Sequence, residues 1–268
     1  MAEEKKGAKD ALIPAATIML VRDGEAGLEV FMVVRHHQID FASGALVFPG
    51  GKIDKNDRAP DVRGLCRGAE GLDDTSLALR VGAIREAFEE SGVLLAYEKG
   101  TDTLVSAARL EEMESWREPL NRSEKGIAEF LTTFGLELAC DRLLPFAHWI
   151  TPDMMPKRFD THFYVAVAPE DHIAAHDGGE SVDSVWINPN EAVKEADDGK
   201  RTVIFPTRMN LLKLGETGSV AEALETAKTA KIVTVLPKVE KRGEGGVLVI
   251  PAEAGYAVTE EPLDKIMG

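Results

Sequence analysis

Three glutamates, Glu86, Glu89 and Glu90, follow Arg85 at once, and Gly92 ends the run Arg85-Glu86-x-x-Glu89-Glu90-x-Gly92. On a helix, at about 100° per residue, the three carboxylates fall within roughly 100° of one another. Such a cluster suits a hard divalent cation, which takes oxygen ligands. On the helix alone the same pattern also fits a solvated acidic face. A second chemical element lies upstream, Phe48-Pro49-Gly50-Gly51. A glycine pair lets the backbone approach a ligand or a neighbouring element closely, although by itself it reads as an ordinary turn.

The helix that carries the glutamates must be positioned by its other side. Leu77, Val81, Ile84 and Phe88 recur at i, i+4, i+7 and i+11 and gather opposite the carboxylates, which predicts one buried stripe and an outward acidic face. Asp74 or Thr75 is the expected N-cap, and Gly92 suits the C-terminal cap. Gly82 sits inside the helix, where glycine costs roughly 1 kcal/mol relative to alanine. With Ala83 it leaves a low spot, expected to receive the Pro-Gly-Gly loop.

The flanking chain supplies the scaffold. AATIMLVRD, from Ala15, and LEVFMVVRH flank a turn over Gly24–Gly27, which predicts a hairpin apolar enough to be covered on both faces. Residues 52–74 are polar and irregular. Residues 96–136 read as helical, with a break at Pro119. Strands over 143–152 and 161–169 flank a basic loop containing Lys157 and Arg158. A glycine-rich acidic loop with Glu180 precedes a strand over 184–187, a helix starting near Asn188–Asn190, and helices over 206–214 and 221–230. The expected organisation is a flexible leader (1–11), one domain (12–215) and an extension (216–268). The extension returns to a β pattern and is expected to pack on the domain or on a second copy in a homodimer.

Length, at 268 residues, allows a sizeable core, and 44% hydrophobic with 29% charged residues is ordinary for a globular chain. A net charge of -15 argues against a general nucleic-acid surface or an anionic membrane partner. An anionic small molecule stays compatible, because local cations and bound metal decide that contact. Cys66 and Cys140 lack metal-ligand spacing and read as reduced, minor thiols. The charged N-terminus lacks the apolar region of a signal peptide, and Lys265-Ile266-Met267-Gly268 is not a Ser-Lys-Leu address. A cytoplasmic location is the expectation.

The pairing of Phe48-Pro-Gly-Gly51 with Arg85-Glu86-x-x-Glu89-Glu90-x-Gly92 resembles the Nudix hydrolases, whose signature joins a Gly-Gly turn to such a helix. Asp57 occupies the first acidic position of the signature. From there 27 residues intervene before Arg85, against the usual seven, so the box is split by an insertion at 58–74. The split form resembles a branch of coenzyme A diphosphatase relatives. Trp149-Ile150-Thr151-Pro152 and Arg158-Phe159-Asp160-Thr161-His162-Phe163 extend that likeness, which covers about residues 14–214. Against the upstream coenzyme A pattern, Arg35 and Gly44 match, whereas Asp40 stands where an arginine belongs. A charge reversal there removes a phosphate contact.

The resemblance implies an α/β fold, the Nudix α/β/α sandwich with a mixed sheet, here with a helical insertion (96–136) and a β-rich C-terminal extension. It implies hydrolysis of a diphosphate linkage with Mg²⁺ or Mn²⁺ held by Glu86, Glu89 and Glu90 beside the backbone of Gly51. Arg85 would orient the glutamates, Glu86 or Glu180 would serve as base, and Arg35, Gly50, Gly51, Lys157 and Arg158 would meet the phosphates. The expected partner is a small nucleoside diphosphate derivative, of coenzyme A or acyl-coenzyme A type. The alternatives are an ADP-ribose or dinucleotide diphosphatase, and a non-catalytic nucleotide-binding regulator.

Overall fold

Periodicity of two in the hairpin and of 3.6 in the glutamate helix builds two layers that meet face to face. The computed structural model describes residues 11–35, 44–172, 181–242 and 245–263. Strands β1 (Ile13–Gly24) and β2 (Gly27–Arg35) form the expected antiparallel hairpin, and the short β3 (Leu46–Val47) and β4 (Gly50–Lys52) pair with β2 and β1. Two-residue β5 (Cys66–Arg67) leads towards helix α1 (Asp74–Ser91). Next come β6 (Ala96–Glu98), α2 (Ala107–Glu111), α3 (Arg117–Asn121), α4 (Ile127–Phe134) and β7 (Leu136–Ala139). Strands β8 (Leu144–Ile150), β9 (Phe159–Val167) and β10 (Ser181–Ile187) precede α5 (Pro189–Asp197), α6 (Phe205–Leu214) and α7 (Val220–Thr229). The tail holds β11 (Thr234–Val235), β12 (Lys238–Arg242), β13 (Gly245–Val249) and β14 (Glu260–Pro262).

The main sheet is mixed, in the order β10-β2-β1-β9-β8-β11, with β1 parallel to β9 and β8 antiparallel to it. Along β1 the side chains alternate between two cores. Ala16, Ile18 and Leu20 face α1, α4 and the small β5-β7-β6 sheet, while Met19 and Val21 face α5, α6 and α7. Both faces are therefore covered, as the continuous apolar runs predict. The tail contributes to the second core: Tyr256 accepts from Trp149 Nε1 at 2.8 Å and donates to Asn210 at 2.8 Å. Cys66 and Cys140 are both buried, and a mutual hydrogen bond and burial push the Cys140 thiol well up. Among the described residues no helix is long and apolar enough to cross a membrane.

Helix α1 differs from its expectation in two respects. Its N-cap is Asp73, which accepts from Ser76 N at 2.7 Å, rather than Asp74 or Thr75. Gly92 does close the helix in the left-handed region, at φ 72°. The larger difference is burial. Arg85, Glu86, Glu89 and Glu90 are as buried as the apolar stripe, because the loop after β4 and α3 cover the acidic face. The low spot at Gly82 receives Ile53 and Asp57 rather than the glycine pair; an added Cβ would lie 2.5 Å from Ile53 Cδ1 and 3.0 Å from Asp57 Oδ2. Gly82→Leu should therefore lower stability by about 1–3 kcal/mol, the usual range for overpacking. An unchanged urea midpoint would contradict this packing.

The segment 96–136 is less helical than its composition suggests. It contains β6 and three short helices, and β7 begins at its last residue. Pro119 does not break a helix: it is the third residue of α3, where the backbone N–H would lack an intrahelical partner anyway.

Candidate active site

Gly50 and Gly51 lie on β4 opposite Thr17 and Ala16 of β1, with α1 packed against them. A Cβ on Gly50 would fall 2.5 Å from the Ala16 carbonyl oxygen and 2.7 Å from Thr17 Cα, both backbone atoms that cannot yield. A Cβ on Gly51 would fall 2.5 Å from the Glu86 carboxylate. The glycine pair is thus the contact surface between β4 and the glutamates. Gly50 N donates to Glu90 Oε2 at 3.0 Å, which fixes one carboxylate against that surface.

Arg85 is the hub of the buried face. Its Nε and Nη2 grip Asp57 in a bidentate pair at 2.8 and 3.0 Å, and Nη1 donates to Glu89 at 2.8 Å. Nη2 also meets the Lys52 carbonyl at 2.9 Å and Glu86 Oε1 at 2.9 Å. One guanidinium therefore ties β4, the turn holding Asp57 and two turns of α1. The i, i+4 pair Arg85–Glu89 would be worth only a few tenths of a kcal/mol on an exposed helix. Buried, it belongs to a network whose removal of one partner leaves uncompensated charge. Asp54 N donates to Asp57 Oδ2 at 2.8 Å, and Asp54 caps that turn by accepting from Asn56 N at 2.7 Å.

The electrostatics are unbalanced. Asp57, Glu86 and Glu89 share one buried arginine, and Glu90 is buried on the same helix beside Gly50. Burial, reinforced by Glu86 and Asp57 and offset by Arg85, pushes the Glu89 carboxyl up to about 8. Burial also raises Asp57, with Arg85 pulling it back, and Arg85 itself is held charged against burial by Glu86, Asp57 and Glu89. Glu89 Oε1 is buried and has no hydrogen-bond partner. A buried acceptor left without a partner costs about 1–3 kcal/mol, more when charged. A hard cation satisfies both the orphan oxygen and the excess charge, so this donor set fits Mg²⁺ or Mn²⁺.

The family model of the NUDT19 Nudix domain matches residues 67–213, more than half of the chain. The chain belongs to the Nudix hydrolases, in the NUDT19 branch. It is 29% identical over 187 residues to nudix hydrolase 7 of Caenorhabditis elegans, covering 70% of this chain and 56% of that one. It is 24% identical over 225 residues to the acyl-coenzyme A diphosphatase NUDT19 of Xenopus laevis, covering 69% and 59%. The chain thus spans a little over half the length of these two relatives. A Nudix hydrolase crystal structure from Alicyclobacillus acidocaldarius superposes with a TM-score of 0.69 at 25% identity, over 83% of this chain and 98% of that one. The α/β Nudix fold expected from the sequence is present.

Around this Nudix helix the structure gathers Arg85, Glu86, Glu89, Glu90, Gly50 and Gly51, with Asp57 closing the network. The remaining residues predicted from sequence are not shown in contact with this cluster. Glu180 and Asp40 fall outside the described residues, and Arg35 ends β2 opposite Ser181. Arg158 donates to the Thr151 carbonyl and pairs with Asp153, so its guanidinium is engaged within the β8–β9 connection. Lys157 lies over the Phe159 ring, 5.4 Å from its centre.

Two positioning residues have no sequence signature. Arg117 of α3 donates from Nε and Nη2 to the Glu89 carbonyl, at 3.1 and 2.9 Å, and so binds the C-terminal turn of the Nudix helix. Asp54 Oδ2 accepts from Ser123 at 2.7 Å, after α3. No local pattern marks either contact, since each joins segments dozens of residues apart. One direct test concerns the glycine surface. Gly51→Ala should preserve the fold yet force Glu86 aside, lowering turnover by roughly tenfold to a hundredfold, the range for disturbing ligand orientation. Wild-type turnover in that variant would refute the contact.

Proposed function

We propose that this chain hydrolyses the diphosphate linkage of a coenzyme A or acyl-coenzyme A type substrate, in a reaction that requires Mg²⁺ or Mn²⁺. The observation that carries the metal-dependent part is the orphan Glu89 Oε1 beside one buried arginine that three buried carboxylates already share. The substrate class is supported by the match to the NUDT19 Nudix domain and by relatives named acyl-coenzyme A diphosphatase.

In this reading Glu86, Glu89, Glu90 and the Gly51 backbone hold the cation. When bound, the metal screens the diphosphate charge and lowers the pKa of the attacking water. Arg85 keeps Glu86 and Glu89 in place through the contacts described above, and Asp57 locks Arg85. Gly50 N holds Glu90, and Arg117 fixes the helix end so that Glu89 does not drift. Glu86 or Glu180 takes the proton from the attacking water. Arg35, Gly50, Gly51, Lys157 and Arg158 are the groups assigned to the phosphates, with Arg158 exchanging its Asp153 partner for substrate.

The test is a hydrolysis screen with Mg²⁺ and Mn²⁺ over coenzyme A, acyl-coenzyme A, NADH, ADP-ribose and dinucleoside polyphosphates. Cleavage of the coenzyme A compounds into two phosphate monoesters is expected to be fastest. Much faster cleavage of ADP-ribose would overturn the substrate class. No turnover on any compound would favour a nucleotide-binding regulator. Glu180→Gln with unchanged turnover would leave Glu86 as the base.

A further inference from the structure

Outside the glutamate cluster, strands β8 and β9 bring a different set of donors together. His148 and His162 are direct register partners across the β8–β9 pair, with stacked rings 4.0 Å apart at 19°. Asp160 lies two residues before His162 on β9, so the two side chains share one face of the sheet. Its Oδ1 is 2.5 Å from His148 Nε2 and 3.7 Å from His162 Nε2. One ligand atom from each residue lies within 4.8 Å of the other two. We propose that His148, Asp160 and His162 form a second cation site, suited to a borderline transition metal such as Zn²⁺ and separate from the glutamate cluster.

The donor chemistry separates the two sites. Two imidazoles and one carboxylate suit Zn²⁺, Co²⁺ or Ni²⁺, whereas an all-carboxylate set suits Mg²⁺ or Mn²⁺. Metal–donor distances of about 2.1 Å in a tetrahedron place donor atoms about 3.4 Å apart. The Asp160–His162 pair is already near that spacing. The Asp160–His148 pair is a hydrogen bond; when a metal takes Nε2, the neutral ring keeps one proton on Nδ1 and any second proton leaves to solvent. His148 Nδ1 lies 2.8 Å from Thr234 Oγ1 on β11, a contact that fixes the ring, and the hydroxyl can accept a hydrogen bond from the Nδ1 proton once Nε2 binds a metal. The three side chains are 17%, 33% and 33% exposed, open enough for an ion to enter and sheltered enough to hold one.

The sheet register places this site. Gly51 pairs with Ala16, Ala16 with His162 and His162 with His148, one rung across four strands. Strand spacing of about 4.8 Å puts the His162 backbone roughly 10 Å from that of Gly51. Ala16 belongs to the core that faces α1, and directly opposed residues project from the same side. The second site therefore shares the sheet face of the Nudix helix without sharing its ligands. Its existence does not depend on the hydrolytic reading.

The experiment titrates the full chain with Co²⁺ in excess Mg²⁺, so that the glutamate cluster is filled, and reads visible d–d absorption. Zn²⁺ binding is followed by calorimetry under the same conditions. The wild type should take up one Co²⁺ with visible bands that Zn²⁺ displaces. His148→Gln, His162→Gln and Asp160→Asn should each weaken Zn²⁺ binding tenfold or more while far-UV circular dichroism stays native. Absence of visible bands in the wild type would overturn the proposal, as would equal Zn²⁺ affinity in the folded variants. Three variants ensure that failure of one to fold leaves the others to decide.

Discussion

Arg85→Gln should be strongly destabilising, costing about 3–5 kcal/mol, the range for breaking a buried charge network. Native domains are stable by roughly 5–15 kcal/mol in all, so this loss is a large fraction of the whole. Asp57, Glu86 and Glu89 would lose their common cation while remaining buried. Their carboxyl groups would then favour the protonated form in the folded state more than in the unfolded state. With the folded pKa raised above the unfolded value, the folded chain binds more protons, and stability falls as pH rises. Urea unfolding should show a large deficit at pH 7.5 and a smaller one near pH 5. Adding Asp57→Asn should restore part of the deficit. Equal wild-type and variant midpoints at pH 7.5 would show that the network contributes nothing.

Glu89→Gln should separate activity from stability. Loss of a proposed ligand should lower turnover by about a hundredfold or more, exceeding the tenfold to hundredfold typical of supporting partners. The metal-free variant should nevertheless be more stable than the wild type. Glu89 moves from an ordinary value of 4.5 to about 8 on folding, chiefly through burial. Wild-type stability without metal should therefore fall as pH rises between those values, by at most about 3 kcal/mol up to pH 7. Glutamine cannot ionise, so the variant should lack this slope. Saturating Mg²⁺ should close the gap by stabilising the wild type more. A metal-free wild type whose melting temperature is flat from pH 5 to 8 would refute the assigned environment of Glu89.

The glutamate helix was legible because its pattern is local: the Leu77–Phe88 stripe, the glycine stop and the carboxylate spacing all lie within one segment. Its N-terminus was read one or two residues late because adjacent Asp73 and Asp74 are chemically equivalent as caps. Burial of its acidic face was not legible, since periodicity describes one helix and not the loop that covers it. The short strand β6 was read as helix because three residues carry too little alternation to register. The pairing of His148 with His162 depends on cross-strand register, which a single segment does not encode. Only the Asp160-x-His162 spacing could have signalled it.

The split in the Nudix box has a consequence for chain entropy. Lengthening a loop from seven to 27 residues raises the entropic cost of closing it by only about 1 kcal/mol, since each doubling adds roughly 0.6. That is within reach of one bidentate Arg85–Asp57 pair, and burial of Val62, Cys66 and Ala69 gives the inserted loop its own anchorage. A further clamp comes from outside the box. The segment around α3 reaches the Glu89 carbonyl through Arg117 and Asp54 through Ser123, so it holds both sides of the interruption. The length of the interruption can therefore vary at little thermodynamic cost, while the clamp cannot. Shortening the segment between Arg117 and Ser123 would loosen the glutamates more than doubling the loop ahead of them.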